Sequence, residues 1–313
     1  MSKPGEQAQG SFGDRPASDV VAGASWLIAS AAGFTVMWVL ARHLSAELHP
    51  VLIVFWRNAI GLCFLMVWLA QSGLGVLRTN NLPRLGVVAV CIYVATVCSF
   101  YALSLMPVAE VTSLSFSAPL FGTVLAAIVL KEPVGVRRWS ATVIGFCGAL
   151  ILLRPGYAVF SHVALIVMVS ALLSALTIIT VRDLSATESN ATITIVPSMM
   201  ITGLAFLGAL PFWTWPGSNA WPLLVLAGIA GSTGMFCFNR AFRAAEASVV
   251  APFDYARLIF AAILGYVIFG EIPDRWTWAG ATVIFAAALY TLHRERRVRR
   301  NAERAGATTA PEG

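Results

Sequence analysis

The sequence predicts an all-α integral membrane protein with ten transmembrane helices, arranged as two inverted repeats of five helices each. Three observations predict this fold class: the composition, the number of long apolar segments, and an internal repeat. Of the 313 residues, 58% are hydrophobic and only 12% are charged. Because soluble domains carry about 25% charged residues, too few polar side chains remain to cover a soluble surface, and lipid is the expected solvent.

Ten apolar segments approach the length of roughly 20 residues that a helix needs to cross the hydrocarbon core. Charges and turn residues bound them at 20–41, 51–71, 85–106, 108–130, 138–153, 159–181, 191–210, 221–242, 247–270 and 276–293. The polar stretch 1–19 lacks the short apolar core of a signal peptide. The first segment is therefore expected to be a true span.

Basic residues are distributed unevenly between the two sides that these spans define. With both termini in the cytoplasm, fifteen of the 21 Lys and Arg residues lie in cytoplasmic segments and three in outer segments. The remaining three, Arg57, Arg240 and Arg257, fall within spans. Cytoplasmic loops carry such an excess of Lys and Arg. The bias predicts a multi-pass protein of the cell (inner) membrane with cytoplasmic tails at 1–19 and 294–313, and it accounts for the net charge of +6 without a nucleic-acid partner.

Two parts of the chain resemble each other. The segment LKEPVGVRRWSATVIGFCGAL at 130–150 matches FGEIPDRWTWAGATVIFAAAL at 269–289, with Glu132 aligned to Glu271 at an offset of 139 residues. Five predicted spans separate the matched positions, and five is odd, so the two copies are expected to cross the membrane in opposite directions. Inverted repeats with a binding site at their interface are typical of secondary transporters. Chance similarity between apolar sequences is the alternative.

The repeated segments also resemble a known family. The stretch 101–156, which contains YALSLMPVAEVTSLSFSAPL and WSATVIGFCGALILLRPG, is similar to the EamA domain of the drug/metabolite transporter superfamily. The stretch 239–289, which contains APFDYARLIFAAILGYVIFGEIP, is similar to a second copy of that domain. The resemblance implies a carrier that works by alternating access, with one EamA-like repeat at 20–156 and another at 157–293.

The version of span nine that reads APFDYARLI resembles the branch of the family that includes importers of riboflavin and of S-adenosylmethionine. The resemblance implies riboflavin uptake as the first candidate activity. An S-adenosylmethionine importer and an exporter of amino acids or other metabolites are the alternatives within the same fold.

Span nine carries two charges, Asp254 and Arg257, in a run that is otherwise apolar or weakly polar from Glu246 to Glu271. A charge at the bilayer centre costs about 2.5–3.5 kcal/mol on insertion scales, so its presence needs a reason. Residues at i and i+3 share a helical face. We therefore expect this pair, with Tyr255 beside it, to line a central cavity and to bind substrate or a coupling proton. An ion pair that only fixes helix packing is the alternative.

Three more residues are candidates for the same site. Arg57 lies near the outer end of span two with Trp56 beside it, and Glu110 opens span four. Arg57 either binds solute or snorkels to the headgroups. Glu110 either gates the carrier or is merely favoured by the positive end of a helix. The aromatic rings of Trp56, Phe34 and Phe100 suit a planar heteroaromatic solute, with lipid-facing packing as the alternative.

Prolines offer a further indication of where the spans change conformation. Pro119, Pro197 and Pro252 lie inside spans four, seven and nine. A proline frees a backbone carbonyl and allows a helix to kink. Broken helices often mark the binding region of a transporter, so we expect these three spans to be interrupted.

No sequence motif indicates catalysis, a metal site or a cofactor. An intramembrane enzyme needs a nucleophile–base pair or a metal set at membrane depth, but the four histidines lie at span ends and no GxSxG motif or P-loop occurs. A channel is the second rival, and the inverted repeat argues against it. The expected protein is a carrier without a cofactor, whose partners are a small-molecule substrate and the lipid bilayer.

Overall fold

The computed structural model describes residues 17–128, 136–153, 162–184, 187–244, 251–287 and 290, and the regular structure in these ranges is entirely helical. The α-helices are α1 (Ala17–Leu44), α2 (Pro50–Ser72), α3 (Leu82–Leu105), α4 (Val108–Ser115), α5 (Ala118–Ile128), α6 (Val136–Leu153), α7 (His162–Leu184), α8 (Asn190–Ala209), α9 (Ala220–Ala244), α10 (Ala256–Phe269) and α11 (275–287). Short 3₁₀ segments lie at Leu74–Leu77, Leu210–Phe212 and Ala251–Tyr255.

Six helical stretches of the described chain are long and apolar enough to cross a membrane. They are Val21–Leu44, Leu82–Leu105, Val108–Leu125, His162–Val181, Ala191–Phe212 and Ala220–Phe242. Two shorter apolar helices, Pro50–Cys63 and Thr142–Ile151, fall within the predicted spans two and five. A chain with several membrane-spanning helices is thus confirmed, while the number of ten spans stays a prediction.

Two of the three proline-containing spans are interrupted, as predicted. A turn at Phe116 and Ser117 separates α4 from α5 just before Pro119, and Pro252 lies in the 3₁₀ segment that precedes α10. The third expectation was wrong, because Pro197 lies inside α8, which stays helical on both sides of it.

Hydroxyl side chains add to the break between α4 and α5. Thr112, Ser113 and Ser115 each donate a hydrogen bond to the backbone carbonyl four residues earlier, at 2.7, 2.7 and 2.8 Å. Such bonds compete with the backbone ladder and bend helices. A short α4 that ends before Pro119 is the result.

The helices of the first half pack against those of the second half in corresponding pairs. α1 packs on α9 as α3 packs on α7, and α2 packs on α9 as α3 packs on α8. α1 also contacts α10, as α7 contacts α5, and α2 contacts α8 directly. Each of these contacts has a counterpart in the other half if α1, α2, α3 and α5 are taken to correspond to α7, α8, α9 and α10.

Glycine allows α1 and α9 to pack closely. A methyl group on Gly33 would lie 3.0 Å from the carbonyl oxygen of Ala230 and 3.1 Å from the Cα of Gly234. Small residues let helix backbones approach in this way. The main buried cluster includes Met37 of α1, Phe100 of α3 and residues of eight other helices, α9 among them.

Loop contacts join the connections at each end of the helices. Near the start of α3, Thr79 and Asn81 donate to Oε1 of Glu188 at 2.6 and 2.8 Å, and these hydrogen bonds lower the pKa of Glu188. At the other end, the rings of His49 and Phe212 stack with centroids 3.8 Å apart. Each contact joins loops that the sequence assigned to the same side of the membrane.

Candidate functional site

The two charges of span nine meet in the structure. Nη2 of Arg257 donates to Oδ1 of Asp254 at 2.9 Å, and the side chains are 17% and 24% exposed. Asp254 belongs to the 3₁₀ segment, whereas Arg257 lies in the first turn of α10. The ion pair therefore bridges the point at which the span changes its helical form. Its part in transport stays a prediction.

Two residues of α1 contact Arg257 of this pair. The guanidinium carbon of Arg257 lies 5.0 Å from the centroid of the Phe34 ring, a cation–π arrangement. The hydroxyl of Thr35 reaches towards the carbonyl oxygen of Arg257 at 3.5 Å. Arg257 is thus held between its own helix turn and an aromatic face.

Tyr255 connects the two interrupted spans. Its ring lies 4.5 Å from the ring of Phe116, in the turn between α4 and α5, and 4.3 Å from the ring of Phe285 on α11. The two helix breaks are therefore in direct contact.

Arg57 lies in a second polar position, one helical turn further along α1 than Arg257. Its Nη1 contacts Sδ of Met37 at 3.0 Å, its Nη2 donates to Oδ1 of Asn58 at 2.9 Å, and its guanidinium carbon lies 5.5 Å from the centroid of Phe100. Within the described part of the chain, no carboxylate lies within 4.0 Å of its nitrogens. Phe100 and Phe34 thus each lie beside one of the two arginines, and their part in binding a solute stays a prediction.

Trp56 has a different neighbourhood from Arg57. Its ring centroid lies 5.8 Å from Trp213, 5.9 Å from Trp215 and 4.7 Å from Trp221. These three tryptophans lie between the end of the 3₁₀ segment Leu210–Phe212 and the first turn of α9, so the structure groups Trp56 with this connection and not with Tyr255. A role for Trp56 in binding stays a prediction.

A third charged group was not predicted as part of a site. Arg42 at the end of α1 forms an ion pair with Glu271, which directly follows α10, and the side chains are 21% and 14% exposed. Arg42 also donates to the carbonyl oxygen of Met106. Oε2 of Glu271 accepts from the backbone N–H of Val108 at 3.2 Å. We call this group the Arg42–Glu271 junction.

The Arg42–Glu271 junction pairs two charges and also provides hydrogen-bond partners for backbone groups at helix ends. A cation is favoured by the carbonyls at the end of α3, and an anion by the free N–H groups at the start of α4. Gly270 ends α10 with a φ of 68°, which directs the chain so that Glu271 reaches Val108. The ends of α1, α3, α4 and α10 are therefore held together at one point.

Glu110 lies in the first turn of α4, two residues after Val108, and is half-buried. It is thus a neighbour of the Arg42–Glu271 junction, whereas Asp254 and Arg257 lie at the opposite end of α10. A signal for the junction existed in the sequence, because Glu271 stood out in the repeat alignment and Arg42 was one of few outer cations. Nothing in the sequence paired them.

Comparisons with known proteins agree with the helical architecture. Two segments of the chain, 21–154 and 162–292, each match the EamA-like transporter family. A solved crystal structure of a protein superposes with a TM-score of 0.61 at 17% sequence identity, over 88% of this chain and 98% of that chain. At this identity the superposition establishes likeness of fold alone.

Curated relatives span most of the chain and differ in what they are named for. The S-adenosylmethionine uptake transporter of Rickettsia prowazekii is 28% identical over 276 residues, which cover 88% of this chain and 94% of the relative. The riboflavin transporter of Vibrio cholerae is 28% identical over 86% of this chain and 92% of the relative. The pseudopaline exporter of Pseudomonas aeruginosa is 30% identical over 82% of this chain and 90% of the relative. The chain is therefore a multi-pass membrane protein that belongs to the EamA-like transporter family.

Proposed function

We propose that this protein is a secondary carrier that moves a small polar organic metabolite across the cytoplasmic membrane by alternating access. The observation that carries the proposal is the Asp254–Arg257 ion pair at the break before α10. Ionisable groups inside membrane segments are costly and face a bundle interior or a water-filled cavity. Discontinuous helices form the solute sites of many secondary carriers.

The two-repeat architecture of this proposal consists of ten spans, with a first repeat at 20–156 and a second at 157–293. Two observations support it. The family matches the chain twice, once in each half, and the helix contacts recur in corresponding pairs when the halves are exchanged. Transporters built from repeats alternate by rocking or gating one repeat against the other around a fixed site.

The Arg42–Glu271 junction gives this carrier a closed end. It joins α1 and α3 of the first repeat to α10 of the second. Opening that end requires Arg42 and Glu271 to separate, and the excess of cytoplasmic Lys and Arg assigns that end to the outer side of the membrane. Glu110, one turn into α4, is positioned to respond to the same opening.

Riboflavin uptake is the first specific activity to test, and S-adenosylmethionine uptake is the second. The names of the relatives from Vibrio cholerae and Rickettsia prowazekii support both. The name of the relative from Pseudomonas aeruginosa supports export of a metabolite as a third. The aromatic rings beside the two arginines suit a cargo with a planar heteroaromatic part, which riboflavin and S-adenosylmethionine share.

The test is uptake of riboflavin by a riboflavin-requiring bacterium that expresses the chain. If riboflavin is the cargo, uptake is saturable in the wild type and in Asp183→Asn, whose side chain is 63% exposed at the surface. We expect none by Asp254→Asn at an equal amount of protein in the membrane, because the substitution removes the charge from the break before α10. Normal uptake by Asp254→Asn would contradict the role of the ion pair. No uptake by the wild type would exclude riboflavin and leave S-adenosylmethionine and amino acids to be tested as radiolabelled solutes.

A further inference from the structure

Three consecutive residues of α2 present buried hydrogen-bond donors that have no acceptor. They are Nε1 of Trp56, Nε of Arg57 and Nδ2 of Asn58, and within the described part of the chain none of these atoms has a hydrogen-bond partner. Buried polar groups are nearly always paired, and an unpaired donor costs about 1–3 kcal/mol, more when it is charged. Trp56 lies among tryptophans, whereas the side chains of Arg57 and Asn58 contact each other, so the free donors of these two residues form a cluster that points to an acceptor from outside the chain.

The contacts that Arg57 does make are weak substitutes for an anion. One is with the thioether sulfur of Met37, a poor acceptor, and the other is with the neutral amide oxygen of Asn58. The Asn58 oxygen faces Arg57, so its free Nδ2 donor belongs to the same cluster. A guanidinium matches a carboxylate through two parallel hydrogen bonds, and neither present neighbour provides that geometry.

The charges around Arg57 and Arg257 also favour an anionic ligand. Arg57 and Arg257 both contact α1, through Met37 and Phe34, which lie one helical turn apart. One carboxylate, that of Asp254, pairs with Arg257, and in the described chain no carboxylate pairs with Arg57. The region therefore carries one uncompensated positive charge, which is costly in a low-dielectric medium and is removed by an anionic ligand.

The structure also provides the room that this arginine needs. A methyl group on Gly231 of α9 would lie 2.7 Å from the sulfur of Met37 and 3.3 Å from Nη1 of Arg57. Any side chain at that position displaces the sulfur or the guanidinium. The glycine therefore lets the guanidinium of Arg57 and the sulfur of Met37 lie against α9.

We propose that Arg57 and Asn58 form the subsite that receives a carboxylate of the transported solute, so that the cargo is an amino-acid-like metabolite with a free carboxylate. This inference rests on the carrier function proposed above and narrows its substrate class. Riboflavin has no carboxylate, whereas S-adenosylmethionine has one. The ion pair of Asp254 and Arg257, one helical turn away along α1, contacts the remainder of the solute.

The test compares ligands that differ only in the carboxylate. Binding to the purified full-length protein in lipid nanodiscs is measured by calorimetry for S-adenosylmethionine and its decarboxylated form, and for amino acids and the amines left by their decarboxylation. We expect the wild type to bind at least one carboxylated member about tenfold or more tightly than its partner, since a hydrogen bond to a charged group contributes about 1.5–3 kcal/mol. Arg57→Gln removes the difference, Arg57→Lys retains part of it, and Arg84→Gln, a matched change in an exposed pair, retains all of it.

Two results would overturn the proposal. One is a wild type that binds both members of every pair equally or binds neither. The other is an Arg57→Gln protein, folded by circular dichroism, that keeps the preference for the carboxylate. If Arg57→Gln does not fold, Arg57→Lys takes its place, because it keeps the charge and loses the parallel hydrogen bonds.

Flux into liposomes that contain the same protein separates this proposal from the carrier function. Saturable riboflavin flux that is unchanged in the Arg57 variants leaves the carrier standing and overturns the carboxylate subsite. A carboxylate preference in binding without flux of any of these solutes leaves the subsite standing and removes the carrier function.

Discussion

How much an ion pair contributes to the stability of this protein depends on how deeply the pair is buried. Arg42 and Glu271 are 21% and 14% exposed, whereas Arg84 and Asp183 are 60% and 63% exposed. Removing one partner of a buried pair leaves an uncompensated charge and costs about 3–5 kcal/mol, while an exposed pair contributes about 0–1 kcal/mol. We expect Arg42→Gln to lower the thermal midpoint of the purified protein far more than Arg84→Gln, measured by intrinsic fluorescence in one detergent.

The reciprocal substitution refines that comparison. Glu271→Gln keeps an oxygen that accepts the hydrogen bond from Val108 but removes the negative charge from Arg42. We expect its thermal midpoint to lie close to that of Arg42→Gln if the ion pair is the main contribution. A midpoint close to the wild type would mean that the junction acts through the cap on α4 alone.

The pair at the break before α10 calls for a control on folding. Asp254→Asn leaves the half-buried Arg257 guanidinium without its carboxylate. The double variant Asp254→Asn/Arg257→Gln removes both charges, and replacing a buried pair by neutral groups is often tolerated. We expect the double variant to reach the membrane in normal amounts and still to lack transport. Restored transport would show that the pair serves only to hold the helix.

Residues close together in the chain were predictable, whereas those brought together by the fold were not. Asp254 and Arg257 are three positions apart, so local helical geometry alone brings them within reach. Arg42 and Glu271 lie on α1 and after α10, and only the packing of these helices joins them. Among the described residues no carboxylate pairs with Arg57, and this is likewise a property of its neighbours in α1 and α3, which the sequence does not specify.

At the scale of the helices, the interface of α1 and α9 depends on glycine. A Cβ on Gly33 would press on backbone atoms of Ala230 and Gly234, at 3.0 and 3.1 Å, which cannot rotate away as a side chain can. A methyl group on Gly203 of α8 would meet nothing within 4 Å. We expect Gly33→Val to reduce the folded yield strongly and Gly203→Val to leave it near that of the wild type, measured by gel filtration of detergent extracts.

Gly33→Ala tests whether the folded yield falls in proportion to the size of the side chain at position 33. The smaller side chain demands a shift of a few tenths of an ångström, so we expect a yield between those of Gly33→Val and the wild type. Equal yields of Gly33→Val and Gly203→Val would mean that α1 and α9 do not pack as closely in the membrane.

The helices themselves were predictable from hydrophobic length, but their interruptions were predictable only in part. Pro119 and Pro252 correctly indicated breaks, and the hydroxyl groups of α4 add a second cause near the first. Pro197 did not, because α8 continues through it despite the lost backbone hydrogen bond. A proline reports that a backbone carbonyl is freed, and the surrounding helices decide whether the chain bends there.

At the scale of the whole molecule, the sequence predicted sidedness through charge, and the loop contacts agree with it. Thr79 and Asn81 contact Glu188, and His49 contacts Phe212, so loops assigned to one side meet only loops of that side in the described contacts. The pairing of helices across the two halves was not predictable, because it depends on which faces pack. The sequence repeat implied that helix pairs recur in the two halves, but it did not indicate which helices form them.

The number of spans is tested by the sides on which the two termini lie. An even number places both termini on one side, and the excess of Lys and Arg in the assigned inner segments places that side in the cytoplasm. We expect an epitope at either terminus to be labelled only after cells are permeabilised. An epitope inserted after Gly217, where a Cβ would meet nothing within 4 Å, is expected to be labelled in intact cells. Labelling of one terminus alone would require an odd number of spans, and the two halves would then not be inverted copies of five helices each.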